Sequence, residues 1–376
     1  FFNSILMYDN INYSSQATTA SQISQYDDRA AGGNIELSEN LWGGRDNIRV
    51  SSIFRYDQHN EKNRQFSATG LKWYMTPWEA GEENTYSQAI ENTFHPASNW
   101  DFKAGLSYDY RQMLGDTQWV NTGSTAPYGY NFQYPVANKE ALNYQTALIY
   151  HYDDTGTVHT SFSDRSRFPT MFEMYSTRFS TYRQNPYLKP EEAFTTEAGW
   201  SDTFASTHLG VNAFYSKMLN AIESVALSST ISQSQNTGVE YHEGFELEAS
   251  HSFDEKLKIG GHYSYLMRSI VNHVAMPTDT PRHKGFAYAE WTPLDGLSVI
   301  PSLDISGKRW VTSYLNSAIY YRTADYALLN LKVAYAFNKT VEVEAGANNL
   351  TDENYVIEDG FHAQGRNYFT NVRVTF

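Results

Sequence analysis

The chain has 376 residues, 28 Lys+Arg against 42 Asp+Glu, 41% apolar residues and an aromatic share of 15% led by 29 Tyr. The formal charge of −14 excludes a nucleic-acid partner, because neutralising phosphates takes clustered Lys and Arg, and no basic run occurs. With no Cys there are no disulfides, thiolate metal sites or Cys nucleophiles, and no stretch approaches the ~18 apolar residues of a helical membrane span; a barrel, which hides its lipid face by alternation, stays open.

The first segment, Phe1 to Ile11, has neither a basic n-region nor an initiator Met, so it reads as a strand of a fragment rather than a signal peptide. Tight turns are predicted at Trp42-Gly43-Gly44-Arg45, Pro96-Ala97-Ser98-Asn99, Asp153-Asp154-Thr155-Gly156, Asp202 to Ser206, Ser252 to Glu255, Pro293-Leu294-Asp295-Gly296 and Asn338-Lys339. Between them lie longer polar or aromatic connections at about 12–29, 58–83, 112–139, 167–190, 218–237, 268–282, 309–325 and 349–365. Short and long connections alternate, which makes about sixteen antiparallel strands near the ~9–11 residues a tilted strand needs to cross a bilayer.

Within the strands the period is two. Phe245, Leu247 and Ala249 share one parity and Glu246 and Glu248 the other; Leu257, Ile259 and Tyr263 alternate with Lys258 and His262. Leu329, Leu331, Val333, Tyr335 and Phe337 form one face before the Asn338-Lys339 turn, and Val341, Val343, Ala345 and Ala347 resume it afterwards. Short turns at one end and long loops at the other are the asymmetry of bacterial outer-membrane barrels. The expected fold is therefore all-β, a transmembrane antiparallel β-barrel in the bacterial outer membrane. A propeller or soluble solenoid is the alternative, and no blade-length repeat supports it.

The final segment, Tyr368-Phe369-Thr370-Asn371-Val372-Arg373-Val374-Thr375-Phe376, keeps Tyr368, Val372, Val374 and Phe376 on one face. It resembles the C-terminal strand of outer-membrane proteins that the barrel-assembly machinery recognises. Asn348-Asn349-Leu350-Thr351-Asp352-Glu353-Asn354-Tyr355 with Gly365-Arg366 resembles the closing signature of TonB-dependent receptors, except that Gln364 replaces a frequent Pro. Arg167-Phe168-Pro169-Thr170, Glu173 and Asn185-Pro186-Tyr187-Leu188-Lys189-Pro190-Glu191 are similar to that family's segment around one long extracellular loop. Ser87 to Asn92 and Lys103 to Asp109 are similar to its mid-barrel hairpin. The resemblance covers most of the chain. It implies that residues 1–376 are the C-terminal part of the barrel, strands seven to twenty-two of twenty-two, with the plug domain and its TonB box upstream.

The same resemblance implies a receptor that captures a scarce solute at its extracellular loops, a ferric siderophore first and cobalamin or copper as alternatives. Import would draw on the TonB–ExbB–ExbD complex through the plug, and phage or colicin are further partners of such loops. The residues offer three sets of ligand contacts. Tyr128, Tyr130, Phe132 and Tyr134, spaced by two, present rings with hydroxyl tips, unless they continue a strand or form an interfacial girdle. Arg178, Tyr182 and Arg183 can fork onto chelate oxygens, and Trp310, Tyr314, Tyr320, Tyr321 and Arg322 make a comparable set, unless these are solvated loop positions.

No G-x-S-x-G elbow, H-E-x-x-H pair or P-loop occurs, so no enzyme activity and no cofactor are expected. Met171, Met174, His273, Met276 and His283 suit copper by ligand type, but their spacing does not force convergence and no metal site is assigned. Two other classes stay open: a sixteen-stranded diffusion porin, complete as it stands, and an adhesin or phage-receptor barrel.

Overall fold

The computed structural model describes residues 2–16, 21–66, 73–121, 129–176, 182–271, 276–313, 315–316 and 318–375, with side chains left undescribed at 2–16, 21–24, 63–66, 73–74 and 121. The first half of the wall is β1 (Phe2–Gln16), β2 (Ser21–Leu41), β3 (Asp46–Phe66), β4 (Glu79–Ala97), β5 (Trp100–Asn121), β6 (Lys139–His151), β7 (Thr157–Arg167) and β8 (Glu191–Phe204). The second half is β9 (Thr207–Leu219), β10 (Val239–Ser252), β11 (Leu257–Ile270), β12 (His283–Leu294), β13 (Leu297–Ser306), β14 (Tyr326–Ala336), β15 (Val341–Asn348) and β16 (Asn367–Val374). Each pairs antiparallel with the next, from β1–β2 through to β15–β16. No pairing joins β1 to β16 among the described residues.

Alternation along each strand becomes two kinds of ladder across the wall. Tyr150, Val158, Trp200, Val211, Leu247 and Tyr263 stand opposite one another on β6 to β11. One position over, Ile149, His159, Gly199, Asn212, Glu246 and Ser264 form the adjacent ladder on the other face. The first row is apolar and meets lipid; the second is mostly polar and lines the hydrated interior, because a charge at the bilayer midplane is costly. No helix among the described residues is long and apolar enough to cross a membrane.

The tight turns fall where the sequence puts them, but three of the expected loops are largely strand. β2, β3, β4 and β5 run for 21, 21, 19 and 22 residues, whereas β15 and β16 have 8 each. The expected connections at 12–29, 58–83 and 112–139 are thus corrected: β1 to β5 continue far beyond the ~9–11 residues that span the bilayer. The reason is physical. Outside the hydrocarbon neither face of a strand meets lipid, so the ladder persists while the apolar alternation that would announce it does not.

A bulge in this projecting wall changes which residues face inward. Glu83 pairs with Met113 while Glu82 pairs with Gly115, leaving Leu114 as the extra residue. Beyond a bulge the parity of one strand reverses. Arg111 and Met113 face inward, and so does Asp116, which lies across from the inward Gly81 and would otherwise share the outward face of Tyr108 and Tyr110.

The two faces predict unequal tolerance. Leu247→Arg, on the lipid side, should destabilise the barrel by about 2–4 kcal/mol, and Asn212→Arg, on the luminal side, by much less. Denaturant titration of the protein folded into vesicles measures both.

Candidate functional site

Pro169 ends the ladder after β7 because its ring has no N–H to donate, and the chain turns into α1 (Met171–Tyr175). A capping box starts this helix: Thr170 Oγ1 accepts from the Glu173 amide at 3.1 Å, and the Glu173 carboxylate accepts from the Thr170 amide at 2.7 Å. Arg167 grips the same carboxylate with two bonds of 2.9 Å and donates through Nε to Glu191, at the start of β8. Glu191 in turn accepts from the Ile222 amide at 2.6 Å in the next long loop. Burial raises the Glu173 pKa, but its bonds to Arg167 and Thr170 outweigh that and hold it below the ordinary range.

The two loops are stitched together above the interior. Residues Tyr182–Arg183 pair with Ser232–Asn236, which pair with Ile222–Ala226. Asn185 donates to the Ser234 carbonyl at 2.9 Å, and the Lys189 amide donates to Asn236 Oδ1 at 2.9 Å. Leu188, fully buried, packs with Met113, Met174 and Tyr175. On the far side Arg268 binds Glu240 at 2.8 Å and also Glu223. The result is a braced lid.

Beneath α1 two cavities adjoin. The larger, about 580 Å³, opens to the interior and is walled by β2 to β5 and by Thr170, Met171 and Phe172. Each arginine on its wall is engaged: Arg29 with Asp27 at 3.1 Å, Arg55 with Asp57 at 2.7 Å, and Arg111 with Glu83 at 3.2 Å as well as with the Pro169 carbonyl. Glu83 Oε2 is buried without a hydrogen-bond partner among the described residues. The smaller cavity, about 30 Å³, is lined by Glu61, Glu79, Asp116, Thr117, Tyr175 and their neighbours, and shares His59, Met171 and Phe172 with the larger.

Both acidic strand ends stand well above the membrane-crossing part of the wall. Burial and then the charge of Glu61 push the Glu79 carboxyl up to about 8. Burial, followed by Glu79 and Glu61, does the same to Asp116, up to about 8. Tyr134, half-buried and facing these acids, is raised to about 12 chiefly by burial.

The structure distributes the sequence-predicted contacts over separate places. Residues 129–133 pair with β5 as a continued strand, which is one of the readings of the tyrosine series; Tyr130 and Phe132 are exposed. Tyr134 instead turns in, 5.5 Å from the Tyr175 ring. Tyr182 bonds Ser234 at 3.2 Å, while Arg183 is exposed with no side-chain partner among the described residues. Trp310 sits under Arg322, 5.2 Å from its guanidinium, in a different loop joined to residue Thr278. Tyr128, Arg178, Tyr314 and Phe376 lie outside the described residues.

Tyr368, Val372 and Val374 form an exposed row on β16. The closing signature is a turn-former: Asn349, at positive φ, accepts from the Glu353 amide at 2.8 Å, and Asp352 accepts from the Arg366 amide at 2.8 Å. The copper candidates do not converge. Met174 is core, Met171 lines the cavity, His283 bonds Tyr263 at 2.6 Å, and His273 lies outside the described residues. Among the described residues no group of three or more His, Asp or Glu is arranged to hold a metal ion. Sequence reasoning missed Glu61, Glu79 and Asp116, whose one legible trace was the density of acids at Glu79, Glu82 and Glu83.

With this wall and lid in view, a family profile described as TonB dependent receptor-like, beta-barrel matches residues 2–350. The chain belongs to the TonB-dependent receptor β-barrel family. Its place is therefore the bacterial outer membrane, the sixteen-stranded porin alternative is set aside, and the family is one of receptors rather than enzymes.

A curated relative, the probable TonB-dependent siderophore receptor PiuA of Acinetobacter baumannii, is 22% identical over 304 residues, covering 74% of this chain and 38% of that protein. Among solved structures, the copper transporter OprC superposes with a TM-score of 0.77 at 16% identity, over 95% of this chain and 58% of that one. The ferric yersiniabactin uptake receptor FyuA of Yersinia pestis gives 0.75 at 13% identity, over 100% and 58%. The chain thus spans well under two thirds of these relatives. At such identities the structural matches speak for the fold alone.

Two measurements test the lid. Arg167→Ala should weaken it by about 1–2 kcal/mol, modest because the guanidinium is half exposed, so the Ile222 amide should exchange about five- to thirtyfold faster. The two raised carboxyls bind protons in the folded state that the unfolded chain has released, so stability should fall as pH rises from about 5 to about 9. Glu79→Gln should flatten that slope in a thermal melt series.

Proposed function

We propose that this chain forms strands seven to twenty-two of a twenty-two-stranded receptor barrel that captures a ferric chelate at its extracellular mouth. The plug domain, outside this chain, closes the bore and links it to the TonB–ExbB–ExbD complex, which supplies the energy for import. The observation that carries this reading is the braced lid over a cleft of about 580 Å³, a volume suited to one small-molecule ligand. The share of the relatives' length that the chain covers and the absence of a β1–β16 pairing among the described residues support the strand assignment. The siderophore receptor among the relatives supports the ligand class.

In this reading Tyr130, Tyr134, Tyr182, Arg183 and Trp310, with Tyr128, Arg178 and Tyr314, present rings and guanidinium groups to the incoming chelate. The row of Tyr368, Val372 and Val374 with Phe376 serves as the signal for the barrel-assembly machinery. Neither role involves catalysis or a resident cofactor.

A deletion strain fed radio-iron as hydroxamate, catecholate or carboxylate chelates tests the function. At least one chelate should lose uptake and regain it with the full-length receptor, only while the energy complex is present. Unchanged uptake of all three would overturn the ferric reading. Arg183→Ala should weaken binding of that chelate by about 1–3 kcal/mol through loss of charge-assisted bonds; an unaltered dissociation constant removes Arg183 from the site.

A further inference from the structure

The wall beneath α1 contains an electrostatic imbalance that the lid and the fold do not need. Glu61 on β3 stands directly opposite Glu79 on β4, and Gly81 on β4 directly opposite Asp116 on β5. Like charges facing each other across a ladder destabilise it. Glu61 and Asp116 are nearly enclosed, 6% and 7% exposed, so water screens them little. The Asp116 carboxylate accepts no hydrogen bond from any described residue, although its backbone carbonyl accepts from Tyr134.

Among the described residues no basic side chain answers Glu79 or Asp116. Lys62 follows Glu61 and so lies on the opposite face, 4.3 Å over the Trp78 ring. His59, which shares the cavity wall, is engaged through Nδ1 with Asp28 at 2.6 Å. Arg111, farther down β5, is held by Glu83 and the Pro169 carbonyl. From above, α1 contributes only Met171, Phe172 and the Tyr175 phenol, with Ser176 after it; Tyr134 faces the same acids from the segment after residue 133.

Room is reserved for what the acids lack. A Cβ on Gly81 would come within 2.6 Å of Asp116 Oδ2 and 3.1 Å of Met171 Sδ, so a larger residue there would oblige these two side-chain ends to shift. The space, about 30 Å³, opens beside the ligand-sized cleft, whose arginines are already matched by Asp27, Asp57 and Glu83. The acids are not grouped to chelate a metal ion. A cationic group on a tether fits; a free anion does not.

We propose that this acidic recess receives a protonated amine carried by the imported solute, so that the receptor selects chelates bearing a free ammonium group. The proposal rests on the ferric-chelate reading and adds its specificity. An ammonium offers three donors to the carboxylate oxygens of Asp116 and Glu79 while the chelate body occupies the larger cleft. Entry of the amine displaces the protons that Glu79 and Asp116 otherwise hold, so affinity should rise as pH climbs toward about 8.

The test uses the full-length receptor in detergent and two probes: a linear ferric trihydroxamate ending in a primary amine, and the same chelate N-acetylated. The amine form should bind at least about tenfold tighter, a preference that grows from about pH 6 to about pH 8 and is lost in Glu79→Gln/Asp116→Asn. Retained heat-resistant gel migration shows that this variant is folded. Equal affinity of the two chelates, or a preference that survives the double substitution, overturns the proposal.

A third arm works without iron: n-propylammonium chloride, against sodium chloride at equal ionic strength, should raise the melting temperature of the wild type and not of the variant. If neither chelate binds, the hydroxamate class is excluded as ligand, the uptake experiment with the other chelates decides the ferric reading, and this arm decides the recess alone. No stabilisation by propylammonium, as when a cationic side chain from outside this chain already fills the recess, overturns the proposal as well.

Discussion

A backbone N–H or C=O left unpaired in hydrocarbon costs several kcal/mol, and this requirement shapes the whole wall. It enforces an unbroken antiparallel ladder from β1 to β16, and the ladder in turn forces side chains to alternate between lipid and lumen. Apolar rows such as Val158, Trp200, Val211 and Leu247 and polar rows such as His159, Asn212 and Glu246 are the two sides of that one constraint. Above the bilayer the backbone still satisfies itself by pairing, but the side chains are freed from lipid. β2 to β5 use that freedom to build a polar wall high enough to hold a site.

The lid shows the complementary economy of polar groups. Arg167, Glu173, Glu191 and Asn185 look, as loop residues, like ligand contacts, yet their hydrogen bonds close on one another and on neighbouring backbone. Such closure fixes two long loops that have little apolar core apart from Leu188, Met174, Met113 and Tyr175. What remains unmatched is then informative. The larger cleft has its cations neutralised by its own acids, whereas Glu79 and Asp116 have no such counterpart among the described residues.

Much of this was readable in the chain. Glycine, proline, Asn and Asp mark the tight turns because they most readily accept those dihedral angles or cap those backbone groups, as Asn338 does for the amides of Thr340 and Val341 at 2.8 and 2.9 Å. The alternation around Phe245 and Tyr263 assigned faces correctly, since lipid and water impose opposite demands on neighbouring positions. The Arg167 to Glu191 motif located the loop at the mouth, though its residues proved to be bracing. Extensions of β1 to β5 were not readable, because a strand with water on both sides has no hydrophobic period.

Sequence by itself determined the fold class, the order of turns and loops and the lipid-facing rows, because those depend on local dihedral preference and on a period of two. Tertiary structure decided which acids meet. Glu61, Glu79 and Asp116 are far apart along the chain, and one inserted residue, Leu114, sets the face on which Asp116 emerges. Register and bulge are properties of paired strands, and no single strand carries them.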